Sequence, residues 1–92
     1  MADKHEQQVK RGEEARLILS SDVWAAAFND TRSALLEALA ALPNMRDDRA
    51  AELHNMVRCL EKVKRALETH VDTGKLAQKE IESRKKLFDF RR

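Results

Sequence analysis

The sequence predicts an all-α protein organised around an antiparallel helical hairpin. Composition and periodicity carry that prediction. Ala, Leu, Glu, Lys and Arg dominate the 92 residues, Gly occurs twice and Pro once. These dominant residues are the strong helix formers. Tyr is absent, and no run alternates with the period of two that a half-buried strand needs. In the stretch from Leu53 to Val71, apolar residues recur at Leu53, Val57, Leu60, Leu67 and Val71. Steps of four and three keep such a row on one face of a helix. A second row runs beside it through Met56, Cys59, Val63 and Ala66, with His70 at its end. Together they make a face wider than a thin coiled-coil seam, so this helix needs more than one neighbour.

Residues 4–20 form the first helical candidate. Its apolar face is thin, made of Val9, Ala15, Ile18 and Leu19. Gly12 costs about 1 kcal/mol relative to Ala inside a helix. It shares a face with Ala15 and Leu19, which would let another backbone come close. The competing expectation is a frayed arm.

Ser20, Ser21 and Asp22 form a capping cluster for a second helix over 22–42. Trp24, Phe28, Thr31, Leu35, Ala38 and Leu42 mark its face, widened by Ala27, Ala34, Leu36 and Leu39. The first helix is expected to fold back over the Trp24–Phe28 end. Pro43 ends the second helix by disfavouring helical geometry at Leu42, and Asn44, Met45 and Arg46 make the turn. A connection this short makes the flanking helices antiparallel neighbours.

Asp47 and Asp48 then open a third helix over 47–73. Its expected stop is Thr73-Gly74-Lys75, with Gly74 as a left-handed cap. The alternative is that Gly74 is tolerated and the helix continues. Leu76, Ile81 and Leu87 keep helical spacing beyond it, so a basic C-terminal helix is expected over 75–88. The chain is read as one domain, 1–92, with 1–14 and 88–92 as candidate flexible ends. Core positions are expected at Trp24, Phe28, Leu35, Leu39, Leu53, Val57, Leu60 and Leu67.

The chemistry-bearing residues do not assemble into a catalytic pattern. His5, His54 and His70 are scattered, without metal-ligand spacing. Gly12 and Gly74 stand alone, so no phosphate-cradling loop is present. Glu13-Glu14 and Asp47-Asp48 are adjacent pairs, and adjacent helical residues do not face each other. A single cysteine excludes an internal disulfide. Within the apolar rows, Cys59 reads as a small buried hydrophobe. The expectation is a protein that is not an enzyme, with no cofactor, no metal and no small-molecule substrate. The N-terminal MADKHEQQVKRGEE is charged, unlike a secretory signal. The apolar stretch SALLEALAALP is too short for a bilayer span, so no membrane partner is expected.

Two features carry functional expectations. The first is surplus apolar surface. The second and third helices each show a broad face, and the first offers little to cover it. Met56, Cys59, Val63 and Leu36 are therefore the expected protein-interface residues, and a homo-oligomer of two or more chains is expected. The second feature is the tail. Residues 75–92 carry seven basic residues against three acidic ones, whereas the remainder is mildly acidic. Arg84, Lys85, Lys86, Arg91 and Arg92 are the candidate nucleic-acid contacts, interleaved with Phe88 and Phe90, which could stack on bases. The competing reading is a solvated helix end whose cations complement the helix dipole.

The chain also resembles the small all-helical proteins encoded among the head-assembly and packaging genes of tailed bacteriophages and prophages. The elements that carry the resemblance are Arg11-Gly12 with Ala15 and Leu19, then Val23-Trp24-Ala27-Phe28, then Leu53, Leu60 and Leu67, then Thr73-Gly74-Lys75. They cover roughly residues 11–79. The resemblance implies a virion or head-assembly accessory role, in the host cytoplasm or in the virion, with another phage structural protein as a candidate partner. It implies no site residues. The alternatives are a nucleic-acid-binding packaging or regulatory accessory that uses the basic C-terminal helix, and a host-directed inhibitor.

Overall fold

Residues 3–44 and 46–90 are described by a computed structural model, Phe90 by its backbone alone. Three α-helices follow one another: α1 (Lys4–Leu19), α2 (Asp22–Ala40) and α3 (Asp48–Phe90). No strand occurs among the described residues. The all-α class and the hairpin of α2 against α3 are as the sequence predicts.

Local chemistry sets the boundaries. Ser21 sits at the N-cap of α2 in extended geometry, and its hydroxyl accepts from the Trp24 amide at 3.3 Å. This satisfies one of the amides that a helix start leaves without a partner. At the other end, the Ala41 amide donates to the Glu37 carbonyl at 2.9 Å and Pro43 follows two residues on. The Asn44 side chain accepts from the Arg46 amide at 3.0 Å, folding an Asx turn. One residue later the Asp47 carboxylate accepts from the Arg49 amide at 3.0 Å and caps α3. Met45, expected within this turn, lies outside the described residues.

Gly74 does not end α3. No described glycine has a positive φ, so the left-handed cap does not form. The helix is 43 residues long in all, from Asp48 to Phe90, and the fourth helix expected over 75–88 is its continuation. Leu76, Ile81 and Leu87 therefore do not fold back as a separate element. The residues after Gly74 are mostly strong helix formers, and they carry the helix across the weak point.

The chain falls into two compact units, both of which include part of α3. The first consists of residues 1–19 and 66–92. Here α1 packs on α3 through its smallest residues. Gly12, Ala15, Gly74 and Ala77 are buried, the two alanines at 3 % exposure. A methyl group on Gly12 would lie 2.8 Å from the His70 carbonyl oxygen and 2.9 Å from Gly74 Cα. One on Gly74 would lie 3.0 Å from Gly12 Cα and 3.1 Å from the Gln8 carbonyl oxygen. The two backbones touch because neither position has a side chain. The sequence reading seats α1 over Trp24 and Phe28; the structure seats its Gly12 face on His70 and Gly74. The physical reason is the glycine pair itself, which allows an approach that larger residues forbid. Leu67, Val71 and Ile81 are half-buried in this unit. On the outer side of α1, the Arg16 guanidinium bonds the Glu13 carboxylate at 3.0 and 3.1 Å. That contact holds the Glu13 carboxyl below its ordinary range.

The second unit, residues 20–65, is the hairpin. Phe28, Leu39 and Ala50 are buried. Trp24, Leu35, Leu53, Val57 and Leu60 lie on the expected rows but are only half-buried. Two helices cover one another on a single side, so residues at the margins of the seam keep some exposure. The Trp24 and Phe28 rings pack 5.8 Å apart between centroids, tilted by 34°.

Two outcomes follow. Gly→Ala inside a helix ordinarily stabilises by about 1 kcal/mol. Gly12→Ala should instead destabilise by about 1–3 kcal/mol, because the obstructing atoms are backbone and cannot move aside as a side chain would. A thermal or urea midpoint followed by circular dichroism checks the sign, and a raised midpoint would show that the crossing opens freely. In the hairpin, Phe28→Ala should cost about 3 kcal/mol, the low end for truncation of a buried phenylalanine; an unchanged urea midpoint would place the seam elsewhere.

Candidate interaction surface

The hairpin register follows from two contacts. Arg32 Nε lies 3.3 Å from Glu61 Oε1, and Lys64 Nζ stands 5.0 Å above the centre of the Phe28 ring. Position 28 of α2 is therefore level with position 64 of α3, and position 32 with position 61. Charge attraction to the aromatic face adds to the apolar burial of Phe28. The Arg32–Glu61 pair is exposed, and its worth is less than about 1 kcal/mol. Its use here is geometric, because it marks one flank of the hairpin.

Leu36 follows Arg32 by one helical turn and so shares that polar flank. It is 37 % exposed. The other flank carries Met56, 53 % exposed, and Val63, 54 % exposed, with the exposed Cys59 between them in sequence. Met56 and Ala38 line one groove of about 290 Å³ with Leu42 and Leu53, which places both on the same side. Arg49 and Glu52 complete that groove. The structure thus brings Met56, Cys59 and Val63 together and leaves Leu36 on the opposite side. Cys59 is not the buried small hydrophobe that the sequence reading makes it. The reason is angular: it precedes the seam residue Leu60 by about 100° of helix rotation, which turns it off the seam.

Sequence reasoning put the matching half of this flank on the apolar face of α2 but left it out of the expected interface. Ala27, Thr31, Ala34 and Ala38 recur at steps of four, three and four, and all are exposed. Thr31 adds no polar demand, since its hydroxyl donates to the Ala27 carbonyl at 2.8 Å. The signal was present in the spacing, but alanine weighs little in an apolar count. Only the register shows that these small residues adjoin Met56 and Val63.

The tail candidates separate. Arg84 is paired with Glu80 at 3.7 Å, while Lys85 and Lys86 are exposed on α3. Arg91 and Arg92 lie outside the described residues, as does the Phe90 side chain. Phe88 is 64 % exposed. In the other unit, a polar groove of about 650 Å³ runs between α1 and α3, lined by Lys4, Gln8, Arg11, Thr69, His70 and Thr73 among others. Among the described residues, no three His, Cys, Asp or Glu side chains gather as a metal set. No described helix is long and apolar enough to cross a membrane. What the geometry offers is surface: one apolar flank, one polar flank and a basic helix end. No protein-family model, curated protein or solved structure matches the chain.

Proposed function

We propose that this chain is a non-enzymatic phage or prophage protein that acts by protein–protein association, as a homo-oligomer with an accessory role in virion or head assembly. The observation that carries the association is the apolar flank formed by Met56, Cys59 and Val63 beside the Ala27–Ala38 row. Exposed apolar surface that is contiguous and edged by polar groups marks association sites. The phage assignment rests on the resemblance of residues 11–79, whose elements span both the glycine crossing and the hairpin. The experiment is deletion of the gene from the phage or lysogen that carries it, with particles counted and imaged by electron microscopy. Fewer or malformed heads are expected. Normal particle yield and infectivity would overturn the assembly role.

A second reading, binding of nucleic acid, is favoured by Lys85 and Lys86, which stand exposed on the helical end of α3. Cations so placed neutralise phosphates, and their affinity falls steeply with salt. Removing residues 83–92 should then abolish a gel shift seen at low salt. The absence of any shift by the intact chain on single-stranded or duplex DNA would dispose of this reading.

A further inference from the structure

We infer that the occupant of the apolar flank is the same flank of a second copy, so that two hairpins close a four-helix bundle with α3 of each chain lying over α2 of the other. The inference rests on the association reading above and names its surface, its partner and its geometry. Three observations point to a second copy.

The first is charge. Ala27, Thr31, Ala34 and Ala38 on α2, with Met56, Cys59 and Val63 on α3, form a stretch without Asp, Glu, Lys or Arg, and the two charges at its Leu42 end, Arg49 and Glu52, are opposite in sign. The opposite flank carries Arg32 and Glu61. A strongly charged partner finds no net complement on the Met56 flank, which is neutral overall and suits its own kind.

The second is register. With 28 level with 64 and 32 level with 61, Val63 stands at the height of the gap between Ala27 and Thr31. Met56 stands at the height of the gap between Ala34 and Ala38, with which it already shares a groove. A two-fold axis running along the helices preserves height and exchanges α2 for α3. The large residues of one copy then meet the small residues of the other, the alternation by which facing helices interdigitate. A surface whose large and small residues match under a two-fold operation is what an isologous dimer requires.

The third is size. From Ala27 to Leu42 the face runs for 15 steps along the chain, about 22 Å at 1.5 Å each. Two helices about 9 Å apart present a face about 20 Å wide with their side chains. Two such faces bury about 900 Å² in total, the size of a weak, transient contact. A dimer of this size should dissociate on dilution.

The test uses the full chain and three single substitutions, A34E, V63E and L36E. Each replaced residue is exposed in the single chain, and glutamate suits a helix, so each variant should keep its far-UV circular dichroism. Light scattering after size exclusion should give the unsubstituted protein a mass of two chains at high micromolar concentration, decreasing on dilution. A34E and V63E should return the mass of one chain, while L36E keeps the mass of two. A two-chain mass retained by A34E, or lost in L36E alone, would overturn the assigned surface and leave association standing. A one-chain mass for the unsubstituted protein at every concentration would overturn self-association as well. A second measurement needs no substitution. Cys59 lies within the proposed interface, so its alkylation by a maleimide should slow several-fold as protein concentration rises. A rate independent of concentration would also overturn the proposal.

Discussion

The packing of Phe28 beneath Lys64 is the contact on which the proposed interaction surface depends. It buries the larger part of an aromatic side chain and brings a cation over the ring. Its consequence is positional. An antiparallel pair of helices can slide by a turn and still bury apolar residues. A slip of that kind would leave the composition of each flank unchanged and alter its heights. Either Val63 or Met56 would then fall beyond the Ala27–Ala38 row, and the match of two large residues to two gaps would be lost. Trp24 stacks on the same ring, and the Arg32–Glu61 pair repeats the register one turn further along. Side-chain packing within one chain therefore sets the heights that the proposed pairing of two chains uses.

Much of the fold was legible in the residues. Ser21, Pro43 and Asp47 mark helix boundaries by mechanisms that need no tertiary context, and the structure keeps all three. The rows at Phe28, Leu35 and Leu39, and at Leu53, Val57 and Leu60, identify the seam of the hairpin. Gly74 is the instructive departure. Locally it is as good a stop as any glycine, since the conformational preference that makes a cap is real. The stop was overridden because a glycine can also serve an approaching backbone, and Gly12 on α1 supplies that backbone. The helix formers that follow Gly74 leave continuation open, and the pairing of two distant glycines favours it.

The interaction surface was half legible. Met56, Cys59 and Val63 were readable as residues beside the main row of α3, and they share a flank. Leu36 is equally apolar and equally adjacent to its own row, yet it lies across the hairpin with Arg32. Counting apolar residues beside a seam does not separate the two flanks. The direction of rotation about each helix separates them, once the helices are known to be antiparallel. The alanines of α2 were read as part of its apolar face and left out of the interface for a different reason. A small side chain contributes little area by itself, and its value lies in the space it leaves for a larger neighbour.

The crossing of α1 over α3 has a consequence for how the gene can change. Where side chains meet, an enlargement on one side can be relieved by a reduction on the other, and second-site suppressors arise readily. Gly12 and Gly74 face each other without side chains, and the remaining obstacles are the His70 and Gln8 carbonyl oxygens. Carbonyl oxygens are common to every residue type, so no replacement at position 8 or 70 removes them. Nor can either glycine become smaller to accommodate a change in its partner. A substitution at either glycine therefore meets backbone that no exchange of side chains at position 8 or 70 moves aside.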